Sequence, residues 1–279
     1  MQIIRASHLG MCFGVRDAIA LAEERAEAAP LTILGDLVHN KNVVASLEAK
    51  GVVTVREPAD AMTHTVMITA HGASQRMLTR VRALGLNVVE ATCPLVRLAH
   101  EAIATLRSDG YHPVIIGLRD HVEVRGLTED LDEFDVVTNE DDIQTLAAHS
   151  RYGIAAQTTQ PIERVKLLVE SIRRRFPDAE IRFVDTVCLP TKQRQTAALE
   201  LARQSDVVVV VGGMSSNNTR ELVRACSRHC ARVHQVERAS EVRAEWFLNA
   251  CTVGITAGTS TPDNVIEAVE QQIRTFVEP

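Results

Sequence analysis

Three cysteines have similar surroundings along the chain. Cys12, Cys93 and Cys188 each follow a predicted strand and precede a predicted helix, at intervals of 81 and 95 residues. At the amino terminus of a helix, backbone N–H groups and the helix dipole favour the thiolate, which is the form of cysteine that binds metals. We therefore predict that the three residues are metal ligands contributed by equivalent parts of the chain.

Three thiolates allow two kinds of metal site. They could hold zinc together with a histidine, or a four-iron cluster in which one iron has no protein ligand. The sequence contains no Cys-x-x-Cys spacing that would distinguish these alternatives. The other cysteines, Cys226, Cys230 and Cys251, are predicted to be small buried side chains, the first two in a helix and the third within a strand.

Three histidines lie in predicted loops at strand ends. They are His39, His71 and His121, and Glu123 follows the last of them by two residues. Imidazole can donate hydrogen bonds to an anion such as phosphate and can transfer protons. Ordinary surface loops could contain the same residues, so this interpretation depends on the recurrence of the pattern. Six further histidines are predicted to lie in helices or surface turns: His64, His100, His112, His149, His229 and His234.

A Gly-Gly-Met-Ser-Ser-Asn-Asn-Thr segment, residues 212–219, follows a run of five valines and opens a predicted helix. Such a helix terminus suits a phosphate group. The segment is neither a Walker A loop nor a Gly-x-Gly-x-x-Gly loop, and a turn with a helix cap would explain it equally well. Residues 259–263, Thr-Ser-Thr-Pro-Asp, allow the same two interpretations.

Apolar β-branched runs alternate with helical patterns along the chain. This alternation is typical of parallel βα units. We predict an α/β fold of three similar lobes with mainly parallel sheets, at residues 14–93, 94–188 and 189–279. The third lobe lacks a strand leading to a cysteine, so the N-terminal strand, within residues 1–13, is expected to complete it. Ligands of parallel α/β sheets bind beyond the carboxyl ends of the strands, so the polar loops and the three thiols are expected to surround one cavity.

Composition excludes several classes of protein. The chain has 279 residues, which allows one large domain or two to three small ones. The net charge of −6 and the aromatic content of 3% argue against a nucleic-acid-binding surface. No apolar run has membrane-spanning length, and the first residues lack the pattern of a signal peptide. Six cysteines without disulfide-type spacing indicate a reducing cytoplasm.

Five short motifs occur in order between the first predicted strand and the last predicted helix. They are Val-His-Asn at 38–40, Ala-His-Gly at 70–72, Ala-Thr-Cys-Pro-Leu-Val at 91–96, Gln-Thr-Thr at 157–159 and Ser-Thr-Pro-Asp at 260–263. In these motifs the chain resembles the LytB family, the 4-hydroxy-3-methylbut-2-enyl diphosphate reductases of the methylerythritol phosphate route to isoprenoids. The resemblance implies a trefoil of three α/β lobes around a central iron–sulfur site.

The resemblance also implies a cofactor and a reaction. Cys12, Cys93 and Cys188 match the ligands of a [4Fe-4S] cluster that has one open iron. The implied reaction uses two electrons and protons to expel the allylic hydroxyl as water, giving isopentenyl or dimethylallyl diphosphate. An electron donor of the ferredoxin or flavodoxin type is then required as a partner.

Individual site residues follow from the same resemblance. The implied catalytic group is Glu123, which relays protons, with His121 and with Thr158 near the substrate hydroxyl. The implied substrate-binding residues are His39, His71, His121, Thr158, Thr159, Ser216, Asn217, Asn218 and Ser260.

The chain departs from the family pattern at several positions. Phe13 replaces a usual alanine, Val122 and Arg125 replace the proline and second glutamate of His-Pro-Glu-Val-Glu-Gly, and Leu189-Pro190 replaces an aromatic and a small residue. Asn217 stands where a phosphate-contacting serine is usual. Three alternatives therefore accompany the reductase: a paralogue acting on another allylic diphosphate, a zinc enzyme hydrolysing a phosphorylated substrate, and a non-catalytic iron–sulfur or phosphometabolite sensor.

Overall fold

The computed structural model describes residues 1–38 and 40–277, and only the backbone of Lys41, Asn42 and Val277. The predicted substrate ligand His39 lies outside the described residues. The described part of the chain alternates strands and helices. No helix within it is both long enough and apolar enough to span a bilayer.

The strands are β1 (Gln2–Arg5), β2 (Thr32–Leu34), β3 (Val53–Val55), β4 (Thr65–Ile68), β5 (Asn87–Glu90), β6 (His112–Ile116), β7 (Asp135–Val137), β8 (Arg151–Ala156), β9 (Glu180–Phe183), β10 (Val207–Val211), β11 (Val233–Val236) and β12 (Thr252–Ala257). The α-helices are α1 (Phe13–Ala28), α2 (Lys41–Ala49), α3 (Gln75–Ala83), α4 (Pro94–Ser108), α5 (Val122–Thr128), α6 (Glu140–Thr145), α7 (Ile162–Arg175), α8 (Leu189–Arg203), α9 (Asn217–Cys226) and α10 (Asp263–Val277). Short 3-10 helices occupy Pro58–Asp60, Ala239–Glu241 and Ala244–Phe247.

The strands form three four-stranded sheets in which every pairing is parallel. Their orders are β3-β2-β4-β5, β7-β6-β8-β9 and β11-β10-β12-β1. The N-terminal strand β1 therefore occupies, beside β12, the place that β5 and β9 occupy in the other two sheets. These sheets confirm the predicted fold class of three similar parallel α/β lobes.

Contacts divide the chain into two units. The first contains Met1–Arg16, Val38–Val43 and Leu189–Pro279, and it includes the sheet that β1 completes. The second contains Asp17–Leu37 and Val44–Cys188, and it includes the other two sheets. The lobe boundaries at residues 93 and 188 stay a prediction.

The central strands form the core of each sheet. In the first unit, all five valines of β10 are buried, as expected for a parallel strand covered on both faces. In the second unit, Tyr152 and Ile154 of β8 pack with Ile172 of α7. Because all strands of a sheet are parallel, their carboxyl ends lie along one edge, and the loops that follow them share that edge.

Candidate active site

Each of the three predicted cysteine ligands lies immediately before a helix. Helix α1 begins at Phe13, α4 at Pro94 and α8 at Leu189. The backbone N–H of each cysteine donates a hydrogen bond to the second residue after a strand. The three pairs are Cys12 with Thr259 O after β12 (3.0 Å), Cys93 with Ala70 O after β4 (3.1 Å), and Cys188 with Thr158 O after β8 (3.0 Å). The local surroundings of the three cysteines are therefore equivalent.

The remaining cysteines differ from these three half-buried thiols. Cys226 and Cys230 are buried in the core, as predicted. The predicted helical position of Cys230 is wrong, because α9 ends at Cys226. Burial, followed by the neighbouring Cys230, raises the pKa of the Cys226 thiol to about 12. The predicted burial of Cys251 is wrong, because this residue is exposed and precedes β12, where its N–H donates to Asp206 Oδ2.

A buried carboxyl group lies beside the loop that follows β8. Glu123 in the first turn of α5 is 1% exposed. Its Oε1 accepts from the backbone N–H of Thr158 at 2.6 Å, and its Oε2 accepts from the Thr158 hydroxyl at 2.9 Å. The structure thus brings together the predicted catalytic pair Glu123 and Thr158, which are separated by 35 residues in sequence. Thr159 beside this pair accepts from Gln157 Nε2.

Burial raises the pKa of Glu123 to about 7, although both hydrogen bonds from Thr158 act in the opposite direction. Removal from water disfavours the ionised carboxylate more than two donors stabilise it. At neutral pH the carboxyl group is thus divided between its protonated and ionised forms. A group in that condition can both donate and accept a proton.

Two predicted histidines lie near this carboxyl group. His121 caps α5, and its Nδ1 accepts from the backbone N–H of Glu123 at 3.2 Å. The rings of His71 and His121 meet edge to face, with centroids 5.7 Å apart. His71, His121 and Glu123 therefore belong to one cluster in the second unit.

His100 of α4 supports this cluster, although the sequence indicated only an ordinary helical residue. Its Nε2 is buried and has no hydrogen-bond partner among the residues described. A Cβ added at Gly72 would lie 3.2 Å from that nitrogen. Burial lowers the pKa of His100, against the attraction of Asp130. A neutral imidazole therefore packs beneath the loop that contains His71.

The first unit contains a second concentration of polar side chains. Ser216, Asn217, Asn218 and Ser260 are all buried. Within residues 1–38 and 40–277, several buried polar atoms at this place have no hydrogen-bond partner: Asn217 Nδ2, Asn218 Nδ2, Ser260 Oγ and Thr219 Oγ1. Each such atom costs about 1–3 kcal/mol unless a ligand or water binds it, so the cluster is suited to a polar ligand.

Hydrogen bonds hold the polar cluster together. Ser216 caps α9 by accepting from the N–H of Thr219, and Asn218 Oδ1 accepts from the N–H of Thr259. Asn40 Nδ2 donates to Ser260 O at 3.0 Å. The amino terminus of α9 therefore lies among these side chains, where its dipole favours an anion.

Two glycines allow this close packing. A Cβ at Gly258 would lie 2.2 Å from Thr219 Oγ1, and a Cβ at Gly212 would lie 2.5 Å from the same atom.

Thr219 was not predicted as a site residue, and neither was Arg194. The Nε of Arg194 donates to Gly10 O and so anchors the loop before Cys12. Long-range contacts of this kind have no local sequence signal.

Parallel α/β lobes, helix-terminal thiols and a buried carboxyl group with a raised pKa are together the arrangement of an α/β enzyme. A family model described as LytB protein matches residues 3–274. The chain belongs to the LytB family.

Similar proteins cover nearly the whole chain. A protein of Pelobacter propionicus named 4-hydroxy-3-methylbut-2-enyl diphosphate reductase is 38% identical over 275 residues, covering 98% of each chain. The protein of that name from Aquifex aeolicus is 36% identical and covers 100% of this chain and 98% of its own. The structure of the E-1-hydroxy-2-methyl-but-2-enyl-4-diphosphate reductase from Plasmodium falciparum matches with a TM-score of 0.91 at 25% identity, covering 98% of this chain and 88% of that one.

The raised pKa of Glu123 predicts a pH-dependent contribution to stability. Between the ordinary pKa of 4.5 and about 7, the folded protein keeps a proton that the unfolded chain releases. The free energy of unfolding contributed by Glu123 therefore falls as pH rises through this window. One pKa unit corresponds to about 1.36 kcal/mol, so the total loss is roughly 3 kcal/mol.

The measurement compares urea unfolding of wild type and Glu123→Gln at pH 4.5 and 7.5. The variant should gain roughly 3 kcal/mol of stability relative to wild type on going to the higher pH. Comparing the two proteins at each pH removes the contributions of other titrating groups. A difference that is the same at both pH values would contradict the raised pKa.

Proposed function

We propose that this chain reduces 4-hydroxy-3-methylbut-2-enyl diphosphate to isopentenyl and dimethylallyl diphosphate. Two electrons and two protons replace the allylic C–O bond with a C–H bond and release water. The observation that carries the proposal is the buried Glu123 carboxyl group, which is poised to exchange protons near neutral pH. Membership of the LytB family and the names of its relatives support it.

The cofactor that we propose is a [4Fe-4S] cluster held by Cys12, Cys93 and Cys188, with one iron left without a protein ligand. The donor set suits this group, because each residue is a half-buried thiol immediately before a helix and helix termini favour thiolates. When bound, such a cluster supplies electrons one at a time and a Lewis-acidic iron.

Glu123 is the proton donor in this proposal. The Thr158 hydroxyl donates to Glu123 Oε2 and so orients the carboxyl group. His121 fixes the first turn of α5 through its bond to the N–H of Glu123. Val122 and Arg125 depart from the family pattern in this turn, yet both contacts of Glu123 with Thr158 are present.

The diphosphate is bound, in this proposal, by the polar cluster at the amino terminus of α9, with the predicted histidine donors. Asn217 Nδ2 and Ser260 Oγ offer N–H and O–H groups that have no partner in the described chain. Charge-assisted hydrogen bonds to phosphate oxygens are stronger than neutral ones. Asn217 thus takes the place of the serine expected in the family, with an amide donor instead of a hydroxyl.

The reaction requires an external electron donor, for which we propose a ferredoxin or flavodoxin. The cysteines are free thiols, which suits a reducing compartment, so a cytoplasmic location is part of the proposal.

The departure from the family pattern at Asn217 favours a second candidate function, which is reduction of another allylic diphosphate by the same site.

Turnover tests the proposal directly. Anaerobically prepared protein, supplied with a saturating artificial reductant, should convert 4-hydroxy-3-methylbut-2-enyl diphosphate to the two products. Glu123→Gln keeps the size of the side chain but cannot release a proton, and positioned general acids contribute roughly 10²–10⁴-fold. This variant should therefore turn over at least about a hundredfold more slowly. Its iron content and substrate affinity should equal those of wild type. Near-normal turnover of the variant would show that Glu123 does not donate the proton.

Substitution of Asn217 tests the diphosphate pocket. Asn217→Ala removes an N–H donor and should raise the substrate dissociation constant roughly ten- to a hundredfold, because a hydrogen bond to a charged group contributes about 1.5–3 kcal/mol. Asn217→Ser should recover most of this loss by supplying a hydroxyl donor. Ser215→Ala, an exposed position in the same loop, is the control and should not change affinity. Unchanged binding by Asn217→Ala would place the anion elsewhere.

A further inference from the structure

Three potential metal ligands meet at the amino-terminal edge of one sheet. His112 is the first residue of β6, Asp135 is the first residue of β7, and His149 lies two residues before β8. Because these strands are parallel, their starts share an edge opposite the one that presents Thr158. The cluster is therefore separate from the site described above.

The three side chains are close enough to bind one ion. His112 Nε2 lies 2.8 Å from Asp135 Oδ2, and the rings of His112 and His149 stack with centroids 3.8 Å apart and planes 8° apart. One ligand atom from each residue lies within 4.8 Å of the others. Tetrahedral zinc with bonds near 2.1 Å separates its ligand atoms by about 3.4 Å, so the three ligand atoms lie at nearly the spacing that one ion requires once the two rings tilt apart.

A buried tyrosine holds the histidine-bearing loop in place. Tyr152 is fully buried, and its hydroxyl accepts from the N–H of His149 at 3.0 Å and donates to Ala147 O. Its ring meets both imidazoles edge to face, at 6.2 Å from His112 and 5.6 Å from His149. These contacts hold the backbone at His149 and place both imidazole rings against the same tyrosine.

An ion pair between His112 and Asp135 would explain only part of the cluster. The ion pair does not involve His149, whose ring stacks on that of His112 at the same edge of the sheet. All three residues are partly exposed, so water can complete the coordination.

Within the described residues, the other two lobes do not repeat the cluster. In the first lobe, β2 and β3 begin with Thr32 and Val53, and the loop before β4 contains the exposed His64. In the sheet of the third lobe, β10 and β11 both begin with valine. The three ligands are therefore particular to the second lobe and are not required by the repeated fold.

We propose that His112, Asp135 and His149 bind one divalent transition-metal ion of the zinc class. Two imidazoles and one carboxylate are a ligand set that suits Zn²⁺. The ion links the starts of β6 and β7 to the loop before β8, and it stabilises the folded state by binding to it alone.

The test uses holo-protein prepared anaerobically with its cysteine site loaded. After equilibrium dialysis against micromolar Zn²⁺, wild type should retain one zinc per chain. His149→Ala and Asp135→Asn should each lose it, whereas His64→Ala, a matched exposed histidine before β4, should keep it. Equal circular dichroism and iron content among the variants show that they are folded.

Zinc K-edge absorption identifies the ligands. The proposal predicts nitrogen and oxygen neighbours near 2.0–2.1 Å, with no sulfur near 2.3 Å, and a zinc-dependent rise in Tm that His149→Ala abolishes. Sulfur neighbours would show that thiols bind the zinc and would overturn the proposal. Retention of zinc by His149→Ala, or no retention by wild type, would overturn it equally.

Discussion

A backbone hydrogen bond recurs at the cysteine of every lobe. The N–H of each cysteine donates to a carbonyl two residues beyond the end of the neighbouring strand, at 3.0–3.1 Å. The bond holds the loop that follows an outer strand against the end of the neighbouring inner strand. The outer and inner strands are β1 and β12, β5 and β4, and β9 and β8. A helix begins at the residue after each cysteine. Each thiol is thus tied by its own backbone N–H to the end of a strand and lies at a helix terminus.

The same strand ends carry other residues that are proposed for the site. The loop after β8 supplies both the carbonyl that receives the N–H of Cys188 and the side chain that binds Glu123. The loop after β12 supplies the carbonyl that receives the N–H of Cys12, and its Ser260 accepts from Asn40. Thr158, which binds Glu123, and Ser260, which is proposed to bind the diphosphate, are therefore positioned by the same loops that receive the N–H groups of two cysteines.

Most strands could be predicted because the inner strands of parallel sheets are continuous apolar runs. The edge strands β3, β7 and β11 have only three or four residues and are partly exposed, so their sequences give no clear strand signal. His112 and His234, predicted in helices or turns, lie in strands, where His234 stacks on Trp246.

The functional residues were predictable to different degrees. The cysteines could be found from local order, because a strand, a thiol and a helix follow one another in sequence. The burial of Glu123 could not be found in this way. A glutamate two residues after a histidine looks solvated, and its partner Thr158 comes 35 residues later. The burial of the Thr219 and Thr256 hydroxyl groups without a hydrogen-bond partner was likewise not predictable, because folding brings their neighbours from distant parts of the sequence.

Iron content tests the equivalence of the three cysteines most directly. After anaerobic reconstitution, wild type should contain about four irons per chain. Cys12→Ser, Cys93→Ser and Cys188→Ser should each lower this value, whereas Cys226→Ser and Cys251→Ser should leave it near wild type. Equal iron loss in both groups, or zinc in place of iron in wild type, would contradict the account.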